Sequence, residues 1–597
     1  MNAIRPLFPY FRRYWTKLAA GGLAVLANNG IWILFPLVLR RTFNDLNAGV
    51  TQQKLVIYSL AIIAIAAGKG IFQFLTRWIV IGVSREIEFD MRNDLFRHLE
   101  ALSYSFYQRT RTGDVMARAT NDLNAVRMLL GPAIMYSANT VVVTAGALGF
   151  MWHISHKLTL WTFLPLPIAS ILVQYFGSRI HERFERIQAM FSELSARAQE
   201  NFSGARIVRA YAQEDAEIRK FESENLEYLN RSLPLARLMG MLWPTLEVML
   251  GLAIVVVLWL GGREVLRHRI DVGDFIAFNT YLAMLTWPVI ALGWVINIFQ
   301  RGTASLGRIQ QILSSEPEIK DEPAHLSVDA GTPIRGEIEF RNLSFAYPGD
   351  SRLPDGSLAP GTEPGQTILD GVNLHIPAGS SLAIVGPTGS GKSTLVHLIP
   401  RIYDAEAGMV LIDGRPIREY AIETLRRQIG FVPQETFLFS TTIRENIAFG
   451  AADATDAQVA KAAEIARIAA DVEGFPERYQ TMVGERGVTL SGGQKQRTAI
   501  ARAVIRDPQI LILDDALSSV DTNTEDHILR HLAEVMRGRT TIFISHRVST
   551  VRNADRIAVL HGGRIVEYGT HDELIARNGY YTDLHNKQLL EEELETV

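Results

Sequence analysis

Residues 386–394 read Gly386-Pro387-Thr388-Gly389-Ser390-Gly391-Lys392-Ser393-Thr394, directly after the apolar run Ser381-Leu382-Ala383-Ile384-Val385. A buried strand that feeds a glycine-rich turn and then a helix is a phosphate-binding loop. Its glycines let backbone N–H groups crowd around the phosphates, Lys392 reaches the β/γ oxygens, and Ser393 offers its hydroxyl to Mg²⁺. By itself the run says only that this part of the chain binds a nucleoside triphosphate.

The surrounding chain is 597 residues long, too long for one core. Hydrophobic residues make up 48% and the formal net charge is −3, so the balance gives no electrostatic case for a nucleic-acid partner. With no cysteine there are no disulfides, thiolate metal sites or cysteine nucleophile, and the redox compartment stays open. The apolar residues concentrate before residue 300, whereas the chain after about 336 has the mixed composition of a soluble domain.

Six segments are apolar and long enough to cross a bilayer as helices, roughly 18–40, 55–83, 132–152, 157–177, 240–262 and 274–300. The first follows Arg5, Arg12, Arg13 and Lys17, but it is too long for a secretory signal and is read as a retained membrane helix. The loops 84–131 and 178–239 are long and rich in arginine, including Arg85, Arg92, Arg118, Arg183 and Arg206. The positive-inside rule places them, and with six spans both termini, in the cytoplasm. Ile87, Met91, Leu95, Leu99 and Leu102 recur at helical spacing, so the membrane helices should continue beyond the bilayer. Breaks are expected at Thr112-Gly113-Asp114 and Ser203-Gly204. Short elements at these tips are either simple turns or contacts for a cytoplasmic ATPase domain.

The expected organisation is an all-α transmembrane domain over 1–315, a polar linker over 316–336, an α/β nucleotide-binding domain over 337–590 and an acidic tail over 591–597. The run 348–365, dense in proline and glycine, reads as an exposed irregular loop. Ile510-Leu511-Ile512-Leu513-Asp514 is a buried strand ending in a carboxylate suited to Mg²⁺. Gln434 follows Phe431-Val432-Pro433, and His546 ends the run Phe543-Ile544-Ser545, where it could hydrogen-bond a γ-phosphate. Tyr347 offers an aromatic face to adenine. Taken singly, the glutamine, the histidine and the tyrosine would each be ordinary structural residues.

Their order along the chain, together with Leu490-Ser491-Gly492-Gly493-Gln494 and Ser518-Ser519-Val520-Asp521, resembles the ATP-binding cassette superfamily. The resemblance covers nearly the whole chain and is to bacterial lipid-flippase or multidrug half-transporters of the type IV exporter fold. Thr481-Met482-Val483-Gly484-Glu485-Arg486-Gly487 is similar to an exporter element that contacts the coupling helices. The resemblance implies ATP and Mg²⁺ as ligands, with Ser393, Gln434 and Asp514 around the metal. It implies adenine on Tyr347, and Asp515, His546 and Gln434 at the catalytic centre. It further implies that Leu490–Gln494, with Asp521, closes over a nucleotide held by another subunit's phosphate loop, so the partner is a second half-transporter. One position departs from the family pattern, because Asp515 stands where a glutamate normally polarises the attacking water. Losing a methylene retracts the carboxylate by roughly 1.5 Å, and misplacement of about 1 Å can cost about 10²-fold in rate. The chain is therefore expected to hydrolyse ATP slowly at its own site, as one half of a heterodimeric exporter or as a homodimer with two slow sites.

The function expected is ATP-driven export or flipping of a hydrophobic or amphipathic substrate, lipid or drug-like, in a bacterial cytoplasmic membrane. An ATP-gated channel or regulatory subunit would keep the same motifs. Peptide export with built-in processing has less support, since no protease domain precedes the first span. Lys69 and Glu247 fall inside predicted spans, and intramembrane charge favours a position facing the bundle interior. The alternatives are snorkelling, or exposure to water through an error in a span boundary. Asn28 and Asn29 are candidates too, or interhelical hydrogen-bond partners.

Overall fold

Apolarity without internal burial sets the character of the first half of the chain. The computed structural model describes residues 2–162, 165–323, 326–328, 332–347, 367–484, 490–518, 527–528, 531–532, 534, 536–545 and 547–595. Among these, the helices Trp15–Ala48, Gln52–Ala101, Thr112–Ile154, Glu214–Leu266 and Val272–Leu313 are long and apolar enough to cross a membrane. None of the most apolar stretch of Gln52–Ala101 is buried within the chain. Ile63, Ile71, Phe74 and Trp78 stand outward there, as they do when lipid supplies the apolar surroundings. In the expected span 157–177, the stretches His156–Thr162 and Pro165–Ser203 are helical, and 163 and 164 lie outside the described residues.

The chain divides into two units, residues 1–99 with 113–314, and residues 100–112 with 315–597. In the first, helices meet through small residues and a limited core of Ala147, Met151, Leu158, Val257, Phe278 and Tyr281. The buried Tyr281 hydroxyl donates to Ile33 O at 3.0 Å, tying the last long helix to the first. At Gly273 a Cβ would lie 2.2 Å from Arg40 O, so only glycine allows this approach, and its N–H donates to Asn44 Oδ1 at 2.7 Å. A π-helical turn at Leu129–Ala133 contains Pro132, which lacks the N–H an α-helical turn needs at that position.

The charge-rich extensions are helical, and Ile87, Met91, Leu95 and Leu99 are buried. Glu88, also buried, receives Arg85 at 3.0 Å and Arg92 at 2.7 Å. Asp122 accepts from Ser305 Oγ at 2.8 Å and from Arg308 Nε at 2.8 Å, which joins Thr112–Ile154 to Val272–Leu313. Breaking a pair of this kind leaves an uncompensated carboxylate, a costly change.

The second unit carries two sheets. The strands are β1 (Ile338–Ala346), β2 (Thr367–Ile376), β3 (Ser381–Val385), β4 (Val410–Ile412), β5 (Arg415–Pro416), β6 (Ile429–Val432), β7 (Ile510–Asp514), β8 (Thr540–Ile544), β9 (Arg556–His561) and β10 (Arg564–Gly569). One sheet is antiparallel in the order β2-β1-β4-β5; the other runs β10-β9-β3-β8-β7-β6. Its inner pairs, β3 with β8 and β9, β7 with β6 and β8, are parallel. Every residue of β7 and β8 is buried, matching the near-continuous apolar runs of covered parallel strands. Parallel alignment brings the C-terminal ends of β3 and β7 to the same edge, where ligands of open α/β sheets bind.

A short helix, Tyr104–Arg109, belongs to this second unit. Ser103 before it and Thr110 after it are both extended. The break expected at Thr112-Gly113-Asp114 lies beside the interruption at 110–111, after which the helix Thr112–Ala117 begins; the earlier break before Tyr104 was not expected. The tyrosine ring of Tyr104 packs edge-on against Tyr403 at 6.0 Å, and Tyr403 Oη donates to Gln108 Oε1 at 2.8 Å. Ser105 donates to the Glu318 carboxylate, which also pairs with Arg109 at 3.5 Å. The second expected break does occur at Gly204, followed by the short helix Ala205–Ala210.

Candidate functional site

The phosphate-binding loop leaves β3 and enters the helix Lys392–His397. Gly389 and Gly391 have φ of +80° and +99°, and a Cβ on Gly391 would come within 2.9 Å of Leu369 Cδ2. Both the torsion and the space therefore call for glycine. The buried Lys392 Nζ donates to Gly386 O at 2.8 Å and Pro387 O at 2.9 Å. Burial lowers the pKa of this ammonium below the usual lysine value, against the opposing pull of Asp514 and Asp515.

Strand β7 delivers Asp514 to the same place. Its Oδ1 accepts from Ser393 Oγ at 3.0 Å, while its buried Oδ2 has no hydrogen-bond partner among the described residues. Burial raises the Asp514 pKa above the usual carboxylate range; the Ser393 hydrogen bond opposes this, the Asp515 charge adds to it and Lys392 opposes it. A desolvated carboxylate oxygen beside a serine hydroxyl is a hard-oxygen donor set that suits Mg²⁺. His397 Nε2 lies 3.8 Å from Oδ2, and burial lowers the imidazole pKa, which keeps the ring neutral near pH 7.

These groups line a cleft of about 270 Å³ that collects Tyr347, Thr388–Thr394, Gln434, Asp514 and Asp515. Tyr347 Oη and Thr394 Oγ1 are hydrogen-bonded at 2.8 Å, and the Tyr347 ring meets Tyr403 edge-on at 5.0 Å. Contacts therefore run from the short helix Tyr104–Arg109 through Tyr403 to Tyr347 at the cleft wall. Asp515 adopts φ +47°, and its N–H donates to Ile544 O at 3.1 Å. It also lines a second cleft of about 170 Å³ with Ser518, Ser545 and Thr550.

Of the expected site residues, the loop, Tyr347, Gln434, Asp514 and Asp515 come together. Leu490–Gln494 do not line this cleft. Ser491 instead caps the helix Gly492–Val504: its Oγ accepts from Gln494 N at 3.2 Å, and Ser491 N donates to Gln494 Oε1 at 3.0 Å. Gln494 Nε2 donates to Asp471 Oδ1 at 2.9 Å, so the capping turn is braced while Ser491 and Gly492 remain exposed. His546, Asp521, the expected loop at 348–365 and Glu485-Arg486-Gly487 lie outside the described residues. No local pattern marks His397 or Tyr403 as neighbours of this site, because both meet it through contacts between segments distant in sequence.

In the transmembrane unit, a cavity of about 380 Å³ is lined by Lys69, Asn28 and Asn29 among others. Glu247 does not line it and stands exposed on its helix in the single chain. Glu247 lies on the long helix Glu214–Leu266, which contributes no residue to that cavity.

Comparison with known proteins matches residues 18–289 to the ABC transporter transmembrane region and residues 369–518 to the ABC transporter family. A probable multidrug resistance ABC transporter ATP-binding/permease protein of Bacillus subtilis (strain 168) is 37% identical over 99% of this chain and 98% of its own length. An ATP-dependent lipid A-core flippase of Desulfotalea psychrophila (strain LSv54 / DSM 12343) is 37% identical over 89% and 90% of the two chains. The solved structure of a bacterial Atm1-family ABC exporter with ATP bound superposes with a TM-score of 0.77 at 28% identity, covering 96% of this chain and 98% of the other.

Proposed function

The chain belongs to the ABC transporter family, with a membrane-spanning region ahead of its ATP-binding domain, and on that premise we propose an ATP-driven exporter of hydrophobic or amphipathic molecules that works as one half of a dimer. It is an integral, multi-pass membrane protein with a cytoplasmic ATPase domain that drives transport. The observation that carries the site assignment is the unpartnered, buried Oδ2 of Asp514 beside Ser393 and Lys392 in one cleft.

In this reading Ser393, Asp514 and Gln434 hold Mg²⁺, which when bound neutralises phosphate charge. Lys392 exchanges its two carbonyl partners for β/γ-phosphate oxygens, and Tyr347 turns its ring to adenine. His546 holds the γ-phosphate and Asp515 orients the attacking water from a retracted position. The cleft closes when the exposed Ser491-Gly492 turn of one subunit caps the nucleotide of the other, with Asp521 nearby.

Three features support a second half-transporter as partner. The signature turn is solvent-exposed and absent from its own chain's cleft. The tip around Ala205–Ala210 leaves Phe202 81%, Ile207 66% and Tyr211 73% exposed, an apolar surface that a second subunit would cover. Asp515 marks this chain's own site as slow, which favours a partner with glutamate at that position over a second copy. Two bound ATP molecules would then hold the cassettes together, and the Tyr104–Arg109 helix on Tyr403 would pass closure to six membrane helices that alternate between inward-open and outward-open. Purification from the native membrane tests the partnership. Recovery of a second half-transporter bearing glutamate supports it; recovery of this chain alone as a dimer shows a homodimer.

A further inference from the structure

We propose that the transmembrane cavity binds the headgroup of an anionic amphiphile, an inference that rests on the export reading above and narrows its substrate class. The cavity lies among Trp15–Ala48, Gln52–Ala101, Thr112–Ile154 and Val272–Leu313. Lys69, Gln73 and Arg77 line it at i, i+4 and i+8 on one helix, so they form a single stripe about 12 Å long. No carboxylate lines the cavity among the described residues, and neither cation is ion-paired there. Lys69 Nζ sits 3.3 Å from the centroid of the Trp32 ring, which steadies the ammonium without neutralising it.

Two further groups point to a ligand. Asn28 is 7% exposed and Thr76 2% exposed; both line the cavity, and Asn28 Oδ1 and Thr76 Oγ1 have no hydrogen-bond partner among the described residues. Buried polar atoms are ordinarily satisfied. Their neighbour Asn29 shows this, donating from Nδ2 to Asn139 Oδ1 at 2.7 Å. The orphaned atoms and the two uncompensated cations face one space, and a headgroup with a phosphate or carboxylate next to hydroxyls would satisfy both. Trp32, Met135, Met284 and Trp287 provide an apolar wall for the start of a hydrocarbon chain. At about 380 Å³ the cavity takes a headgroup and the first chain carbons rather than a whole lipid.

The test uses the full-length protein, nucleotide-free, and two fluorescent probes with identical acyl chains: labelled phosphatidic acid and labelled phosphatidylcholine, read by anisotropy. Phosphatidic acid should bind about tenfold or more tightly than phosphatidylcholine. Lys69→Gln with Arg77→Gln should erase that ratio while phosphatidylcholine binding persists, which shows the variant is folded. Lys69→Arg with Arg77→Lys should restore the ratio. Equal affinities in the wild type, or a ratio that survives in the Gln variant, overturns the proposal. ATP-driven movement of the same probes in proteoliposomes separates the two readings. Failure of the export reading shows as no ATP-dependent movement of either probe although the binding ratio stands. Failure of this inference shows as ATP-dependent movement with no headgroup preference.

Discussion

Replacing Asp515 with glutamate should convert a slow ATPase into a faster one, and the structure sets both the gain and its cost. Asp515 is pinned by its N–H bond to Ile544 O at 3.1 Å, so an added methylene lengthens the reach into the cleft rather than shifting the backbone. The carboxylate advances by roughly 1.5 Å, and recovery of about 10²-fold in turnover corresponds to about 2.7 kcal/mol of barrier. Against this stands the φ of +47°, which aspartate tolerates better than glutamate. A left-handed conformation costs an ordinary residue roughly 1–2 kcal/mol, so the variant should lose about 1 kcal/mol of stability. That lowers the melting midpoint by about 2–4 °C in a domain of this size without unfolding it. The assay is phosphate release at saturating Mg-ATP from the purified chain in nanodiscs, with the melting midpoint measured alongside. A glutamate variant that stays folded and turns over no faster than wild type would falsify the assignment of Asp515 as a retracted water-orienting group.

Other residues give independent checks. Gly391→Ala, with φ +99° and a Cβ 2.9 Å from Leu369 Cδ2, should weaken ATP binding about tenfold in titration calorimetry, since the loop cannot keep its shape. Tyr403→Ala removes the ring between Tyr104 and Tyr347. Substrate moved per ATP hydrolysed should fall several-fold, whereas an unchanged ratio would remove Tyr403 from the coupling route. Ser491→Ala deletes the cap on Gln494 N and should cost about 1 kcal/mol in denaturant unfolding. Asp514 has its pKa raised by burial, so in the nucleotide-free protein its protonation favours the folded state below the ordinary carboxylate pKa. That contribution is lost as pH rises through the raised value. Mg²⁺ needs the ionised form, so Mg²⁺-dependent ATP affinity should weaken as pH falls toward that value. Asp514→Asn should flatten the profile.

What could be read from residues alone followed from how local the chemistry is. The phosphate loop and β7 declare themselves because glycine torsions and continuous burial leave a signature within ten residues. The membrane helices do so because each is apolar by itself. The short helix Tyr104–Arg109 has no signal of its own in the residues, which mark only the break beside Thr112-Gly113-Asp114. The break at Ser103 comes from an extended backbone that the docking on Tyr403 and Glu318 holds in place. For Glu247 only the cost of intramembrane charge speaks, and a single-residue cost argument cannot tell which face of a helix its neighbours cover. The unsatisfied Asn28 and Thr76 atoms and the cation stripe appear only when four separate helices surround one space.

The central claim is that ATP drives uphill transport by this chain and its partner. Inverted native-membrane vesicles carrying the protein, loaded externally with a fluorescent amphiphile and Mg-ATP, test it directly. The account expects accumulation against a gradient that disappears in Lys392→Ala. ATP-dependent ionic current with no accumulation would contradict it and point to a channel.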